Sequence, residues 1–268
     1  MTETRGRVWI QGAGELASGV AVRLFRSGYR IIMAEIANPL AVRRLVSFSE
    51  AVYQGRSEVE GIPAVLVPAG EADFQPDLIT VTVDPVGRAL TRLGADAVVD
   101  ARLTKQAPIP LPAAQAVMIG LGPGFRCGRD ADLIIETHRG ARLGEVISAG
   151  EAAPNTGIPG VIGGQSALRV VRSPATGHFE PAVSIGELVT EGQTLGEVAG
   201  VPVKSRLAGQ VRGLIHPGAE LSAGEKVGDI DPRGKEIDPR RVSDKALAIA
   251  GGVLEALLRK KIYPASCE

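Results

Sequence analysis

An apolar run, Val8-Trp9-Ile10, leads directly into two glycines one residue apart, Gly12 and Gly14. Leu16, Val20 and Leu24 then recur at i, i+4 and i+8, with Ala17, Ala21 and Phe25 beside them, which is the spacing of an amphipathic helix. A second apolar run, RIIMAEI at 30–36, follows. The pattern predicts strand, tight turn, helix, strand. Further runs, at 62–67, 77–84 (DLITVTVD), 96–101 (DAVVDA), 117–121 and 132–137 (DLIIET), are β-branched and nearly continuous. Continuous rather than alternating runs mark strands buried on both faces of a parallel sheet. Pro85 opens a short helical stretch that Gly94 closes. Repeated β-α-β units of this kind predict an α/β fold with a doubly wound parallel sheet.

The pattern changes after Gly150. Residues 153–164 are rich in glycine and proline and lack periodicity, as in a linker or a binding loop. The chain then repeats itself at an offset of 32: Gly177, Gly186, Gly192 and Gly196 align with Gly209, Gly218, Gly224 and Gly228. Two copies of short strands and glycine turns predict a small all-β unit with pseudo-twofold symmetry. Near the end, Ser243 caps a helix expected over 244–260, with Leu247, Ala250, Leu254, Leu257 and Leu258 near one face. The expected domains are residues 1–165, 166–232 and 233–268, the last a helix packing on the first domain or on a partner.

Candidate chemistry sits at the glycine turns. Gly12, Gly14 and Ala17 fit G-x-G-x-x-A, and Glu35 lies 23 positions after Gly12, close to the spacing of an acid that holds a ribose hydroxyl. The sheet is therefore expected to be Rossmann-like. Gly14 would let backbone approach a phosphate, and the helix start at Glu15 favours an anion. Arg43 and Arg44 could meet a further phosphate, or lie on a solvated face. A second glycine-rich loop, Gly120, Gly122, Gly124 and Gly128, follows the strand at 117–121 and offers main-chain groups to a phosphate or a planar ring. Cys127 lies within it, with no second cysteine or histidine at metal-ligand spacing, so no metal site is expected. Asp100 and Lys105 form a candidate catalytic or substrate-holding pair, with a plain ion pair as the alternative. A ligand-free strand-to-helix turn stays open for Gly12 and Gly14 as well.

Composition narrows the partners. The 268 residues carry 30 basic and 30 acidic side chains and only 3% aromatics, which argues against nucleic acid as a partner. Two distant cysteines, Cys127 and Cys267, make no disulfide framework. With no signal-like N-terminal segment and no apolar run of 18 residues, a cytoplasmic protein without a membrane partner is expected.

Two resemblances enter here. The segment S-P-A-T-G followed by I-G-E-L-V-T-E-G-Q-T-L-G-E-V, at 173–177 and 185–198, resembles biotinyl and lipoyl carrier domains, which are barrel-sandwich hybrids. Their modified lysine would fall near 199–202, where this chain has Ala-Gly-Val-Pro, so a docking or structural role is expected in place of a swinging arm. Across most of the chain, G-A-G-E-L-A-S-G-V-A, P-L-A-V-R-R, V-D-A-R-L-T-K, G-L-G-P-G-F, I-I-E-T-H-R-G, P-N-T-G and G-D-I-D-P-R resemble the YqeB-type family, accessory proteins of the selenium-dependent molybdenum hydroxylase system. That resemblance implies a role in maturing or supplying such a hydroxylase, with the hydroxylase or its maturation proteins as partners. Three readings follow. One is an accessory protein binding a nucleotide-bearing cofactor, NAD(P) or a molybdopterin nucleotide, with Gly12, Gly14, Glu15, Glu35, Arg43, Arg44, Gly120, Gly122 and Gly124 at its cleft. The second is an NAD(P)-dependent oxidoreductase using Asp100 and Lys105. The third is a non-catalytic scaffold, and a homo-oligomer stays open in each.

Overall fold

The computed structural model describes residues 6–104, 106–113, 115–140, 142–158 and 160–265. They fall into two compact units: one of the described residues up to 37, residues 48–155 and those from 242 onward, the other of residues 38–47 and 156–241.

The first unit contains β1 (Arg7–Gln11), α1 (Glu15–Arg26), β2 (Arg30–Glu35), α2 (Glu50–Gln54), β3 (Arg56–Val59), β4 (Ile62–Leu66), β5 (Ile79–Val83), α3 (Leu90–Leu93), β6 (Ala97–Asp100), β7 (Val117–Leu121), β8 (Leu133–Ile135), β9 (Val146–Ile147) and α4 (Asp244–Arg259). The strands make one sheet in the order β3-β4-β5-β2-β1-β6-β7-β8-β9. Strands β4 to β8 run parallel, while β3 and β9 are antiparallel at the two edges.

This corrects the expected doubly wound, Rossmann-like architecture. The sheet is mixed, and helices are few. Only the β1–β2 crossover holds a full helix, of 12 residues, and α3 between β5 and β6 has 4. Among the described residues no helix links β6 to β7 or β7 to β8. The physical reason lies in the connecting residues. Pro108, Pro110 and Pro112 sit in the first connection, and each removes a helix donor and clashes with the preceding turn. Gly122, Pro123, Gly124 and Gly128 occupy the second. Irregular chain therefore does the covering: Trp9, Ile32, Ala34, Leu90, Leu93 and Val98 form a buried cluster with Phe74, Leu111 and Met118 from loops and strand β7.

Helix α4 arrives from the far end of the chain. Ser243 Oγ accepts from the Ala246 amide at 3.2 Å and caps it. It packs on α1 at Gly19, where a Cβ would stand 2.7 Å from the Ala246 Cβ. Tyr29 then secures the following residues, its hydroxyl donating to the Ile262 carbonyl at 2.8 Å.

The second unit holds β10 (Val170–Arg172), β11 (Gly177–Pro181), β12 (Leu188–Val189), β13 (Thr194–Val198), β14 (Val201–Lys204), β15 (Gly209–Leu214), β16 (Glu220–Leu221) and β17 (Lys226–Asp231). Two four-stranded sheets result, β10-β17-β15-β12 and β14-β13-β11-β16, all pairs antiparallel. The 32-residue repeat maps strand onto strand, β11 onto β15, β12 onto β16 and β13 onto β17. It also maps bond onto bond. Gly186 donates to the Val211 carbonyl at 2.8 Å, and Gly218 to that of Phe179 at 3.0 Å. Each copy thus lends a strand to the other copy's sheet, and the halves share one core around Phe179, Leu195, Val211 and Val227. Ala199 (φ 50°) and Gly200 (φ 74°) join β13 to β14 in a two-residue turn with both residues left-handed, which matches strand twist.

Candidate functional site

Ligands of parallel sheets collect at the C-terminal ends of the strands. Here that rim carries, in the order of the sheet, Asp84, Glu35, the Gly12–Gly14 turn, Asp100, Gly122 and Glu136. Register keeps neighbours level, with Gln11 opposite Asp100 and Asp100 opposite Gly120.

Three buried or half-buried carboxylates on this rim each clamp two backbone amides. Glu35 accepts from Ala13 at 2.7 Å and from Ile36 at 2.8 Å. Asp84 accepts from Arg88 at 2.9 Å and Ala89 at 2.8 Å. Glu136 accepts from His138 and Ala153, both at 2.7 Å, which ties the start of the P-N-T-G loop to the end of β8. Burial pushes the Glu35 carboxyl above the usual carboxylate range, against the downward pull of the Ile36 and Ala13 amides.

The first glycine turn is tightly held. Gly12 has φ 106° and donates to the Ala34 carbonyl at 2.6 Å. A Cβ there would lie 3.0 Å from the Ala101 oxygen. The Ala13 carbonyl accepts from Ser18 Oγ at 3.0 Å and from the Ser49 amide at 3.0 Å. Gly14 differs. Its φ is −71°, open to any residue, and nothing lies within 4 Å of where its Cβ would be. Neither backbone conformation nor packing asks for glycine at this position. Glu15 is the first residue of α1.

The second glycine loop is filled from within. A Cβ on Gly120 would enter the Phe125 ring, one on Gly122 would strike Thr137 Oγ1, and one on Gly124 the Gln106 carbonyl. Three glycines therefore serve close packing of side chain and backbone. Cys127 donates its thiol to the Ile147 carbonyl at 3.2 Å, and burial pushes that thiol above its ordinary range.

Asp100 is 1% exposed, and both its oxygens are engaged by Arg102, with Nε at 2.9 Å from Oδ1. Lys105, the other member of the expected pair, lies outside the described residues. Arg43 and Arg44 fall in the second unit, where Arg43 donates to the carbonyls of Pro239 at 3.2 Å and Arg241 at 3.0 Å. The structure thus gathers Gly12, Gly14, Glu15, Glu35, Asp100 and the second glycine loop in the first unit. Reading the sequence missed Arg102 and Glu136, although V-D-A-R and I-I-E-T place each at the end of a strand, where such residues are to be sought. Among the described residues no helix is long and apolar enough to cross a membrane.

No family model matches this chain. A curated protein of Escherichia coli strain K12, named Uncharacterized protein YqeB, is 44% identical over 254 residues, which is 94% of this chain and 47% of that protein. The chain therefore spans about half the length of the curated relative it matches. Among solved structures, the apo form of the ectoine utilization protein EutE (DoeB) from Ruegeria pomeroyi is 28% identical over 24% of this chain and 22% of its own, with a TM-score of 0.22. An aspartoacylase family protein from Mesorhizobium loti is 12% identical over 84% of this chain and 85% of its own, with a TM-score of 0.28.

Proposed function

We propose that this chain holds a nucleotide-bearing cofactor on the Gly12–Gly14 turn, as an accessory in the maturation or cofactor supply of a molybdenum hydroxylase. The observation that carries the binding site is Gly14. Its backbone is ordinary and its Cβ position is open, and unlike Gly251, which shares both features, it stands at the N-cap of α1, where bare backbone leaves the helix start accessible from outside. The first amides of α1 face an anion there, and the Glu35 carboxylate, one residue away at the Ala13 amide, stands where a ribose hydroxyl can donate to it. Support for the pathway comes from the motif resemblance to YqeB-type proteins and from the 44% identical relative of that name.

Thermal shift with NAD, NADP and a molybdopterin nucleotide tests the reading. A ligand at about 100 times its dissociation constant should stabilise the chain by about 2.7 kcal/mol. Gly14→Val should abolish that shift while leaving the stability of the ligand-free chain within about 1 kcal/mol of the wild type. A wild-type chain that none of the three ligands shifts would sink the proposal and leave the docking role.

A further inference from the structure

Arg102 has a geometry that the ion pair with Asp100 does not exhaust. Its Nε and Nη2 both bond to the Asp100 carboxylate, and Nη2 also donates to the Ile109 carbonyl at 2.6 Å. Nη1 has no hydrogen-bond partner among the described residues, and the side chain as a whole is 16% exposed. A guanidinium held on two of its three nitrogens loses little further freedom when the third takes a ligand. The neighbouring backbone is held under strain: Leu103 has φ 54°, a left-handed conformation that a bulky residue adopts only when its surroundings impose it. The same backbone lies against the glycine turn. A Cβ on Gly12 would be 3.0 Å from the Ala101 oxygen and 3.5 Å from the Arg102 amide nitrogen, so the two loops meet at the strand ends.

We propose that Arg102 binds the phosphate or diphosphate group of the ligand seated on the Gly12–Gly14 turn, with Asp100 orienting the guanidinium. This rests on the binding site proposed above and assigns its cation. Arg43 does not fill that role, because its guanidinium serves carbonyls of the second unit. It also reassigns Asp100. A carboxylate engaged on both oxygens by an arginine holds that arginine in place, so Asp100 is a positioning group. Because the pair is neutral overall, the affinity comes from directed N–H bonds more than from net charge.

Calorimetric titration of the full chain with inorganic pyrophosphate and with ADP provides the test. Asp100→Asn/Arg102→Gln removes both charges together and avoids leaving a buried carboxylate unpaired. Circular dichroism and a thermal melt check that it folds. Arg102→Lys keeps the charge but loses the fork, and Asp100→Asn alone keeps an acceptor beside the guanidinium. The expected result is binding of both ligands by the wild type and a loss of at least tenfold in the double variant. Lysine should restore less than half of that loss, and Asp100→Asn should fall between wild type and double variant. A folded double variant that binds both ligands as the wild type does overturns the assignment of Arg102 and leaves the glycine-turn site standing. Arginine-dependent binding of pyrophosphate without ADP upholds Arg102 as an anion ligand and removes the nucleotide reading. A wild type that binds neither pyrophosphate nor ADP overturns the assignment of Arg102, and the glycine-turn site is then decided by the thermal shift with NAD, NADP and a molybdopterin nucleotide.

Discussion

Gly252→Ala should destabilise the first unit by about 1–3 kcal/mol or more, while Gly251→Ala, one residue earlier in the same helix, should stabilise it by up to about 1 kcal/mol. Both glycines lie inside α4, where helix propensity alone favours alanine at each. Their surroundings are opposite. A Cβ on Gly251 meets nothing within 4 Å. One on Gly252 would run into the Gly144 carbonyl oxygen and stand 2.9 Å from Ile135 Cγ2. The approach is mutual, because Gly144 (φ 83°) comes up against the Ala248 backbone. Backbone atoms cannot swing aside as a side chain can, so relief requires α4 to lift from the β8–β9 end of the sheet. Urea unfolding of the two variants measures the contrast. Equal midpoints for both would show that α4 does not pack as described.

The second large effect belongs to the other unit. Asp231→Ala should lower stability by about 3–5 kcal/mol, the cost of taking one partner from a buried ionic cluster. Asp231 is fully buried, with Arg233 Nη2 at 2.7 Å and Nε at 2.9 Å from its oxygens, and Arg212 at 3.9 Å. Its neighbour on the strand, Asp229, pairs with Arg169 at 2.7 Å and also faces Arg212. Removing Asp231 leaves Asp229, at 3.9 Å, as the remaining carboxylate facing Arg212 among the described residues, in a nearly enclosed place. Arg233 is about two-fifths exposed and can turn to water, which places the loss toward the lower end of that range. The same carboxylate predicts a pH dependence. Burial alone would raise its pKa, but the Arg233 side-chain and backbone bonds, with Arg212, hold it below the ordinary range. A depressed folded value means the stabilisation is present above the unfolded carboxylate pKa of about 3.9 and disappears as pH falls through the folded value. The wild type should therefore lose stability on acidification more steeply than Asp231→Asn. Parallel stability curves between pH 3 and pH 6 would refute this account.

Much of the second unit was readable as sequence. Four glycine pairs at an offset of 32 announced two copies, and the copies form equivalent strands because each turn is made by residues a few positions apart. The candidate site was readable only in part. Gly12, Gly14 and Glu35 could be found by spacing, since the turn, the helix start and the next strand are consecutive. Arg43 and Arg44 were attractive for their charge and their nearness in the chain, and both fall in the second unit, where Arg43 bonds to carbonyls near the unit's end. Arg102 was passed over in favour of Lys105, because nothing in V-D-A-R-L-T-K says which cation folds back onto the aspartate.

The doubly wound expectation failed for a related reason. Continuous apolar runs report that both faces of a sheet are covered, but not by what. Prolines 108, 110 and 112 ruled out a helix in one connection, and the cover came from irregular segments and from α4, more than 200 residues along the chain from the helix it packs against. The sequence by itself determined the local units: strand, glycine turn, helix, strand at the start, the duplicated β pattern, and the capped helix near the end. Periodicity and turn chemistry act over a few residues, which is why these are legible. The tertiary structure alone decided which glycines stand open and which are packed shut, and which arginine meets Asp100. Those outcomes depend on contacts between segments distant in sequence, whose partners no local pattern names.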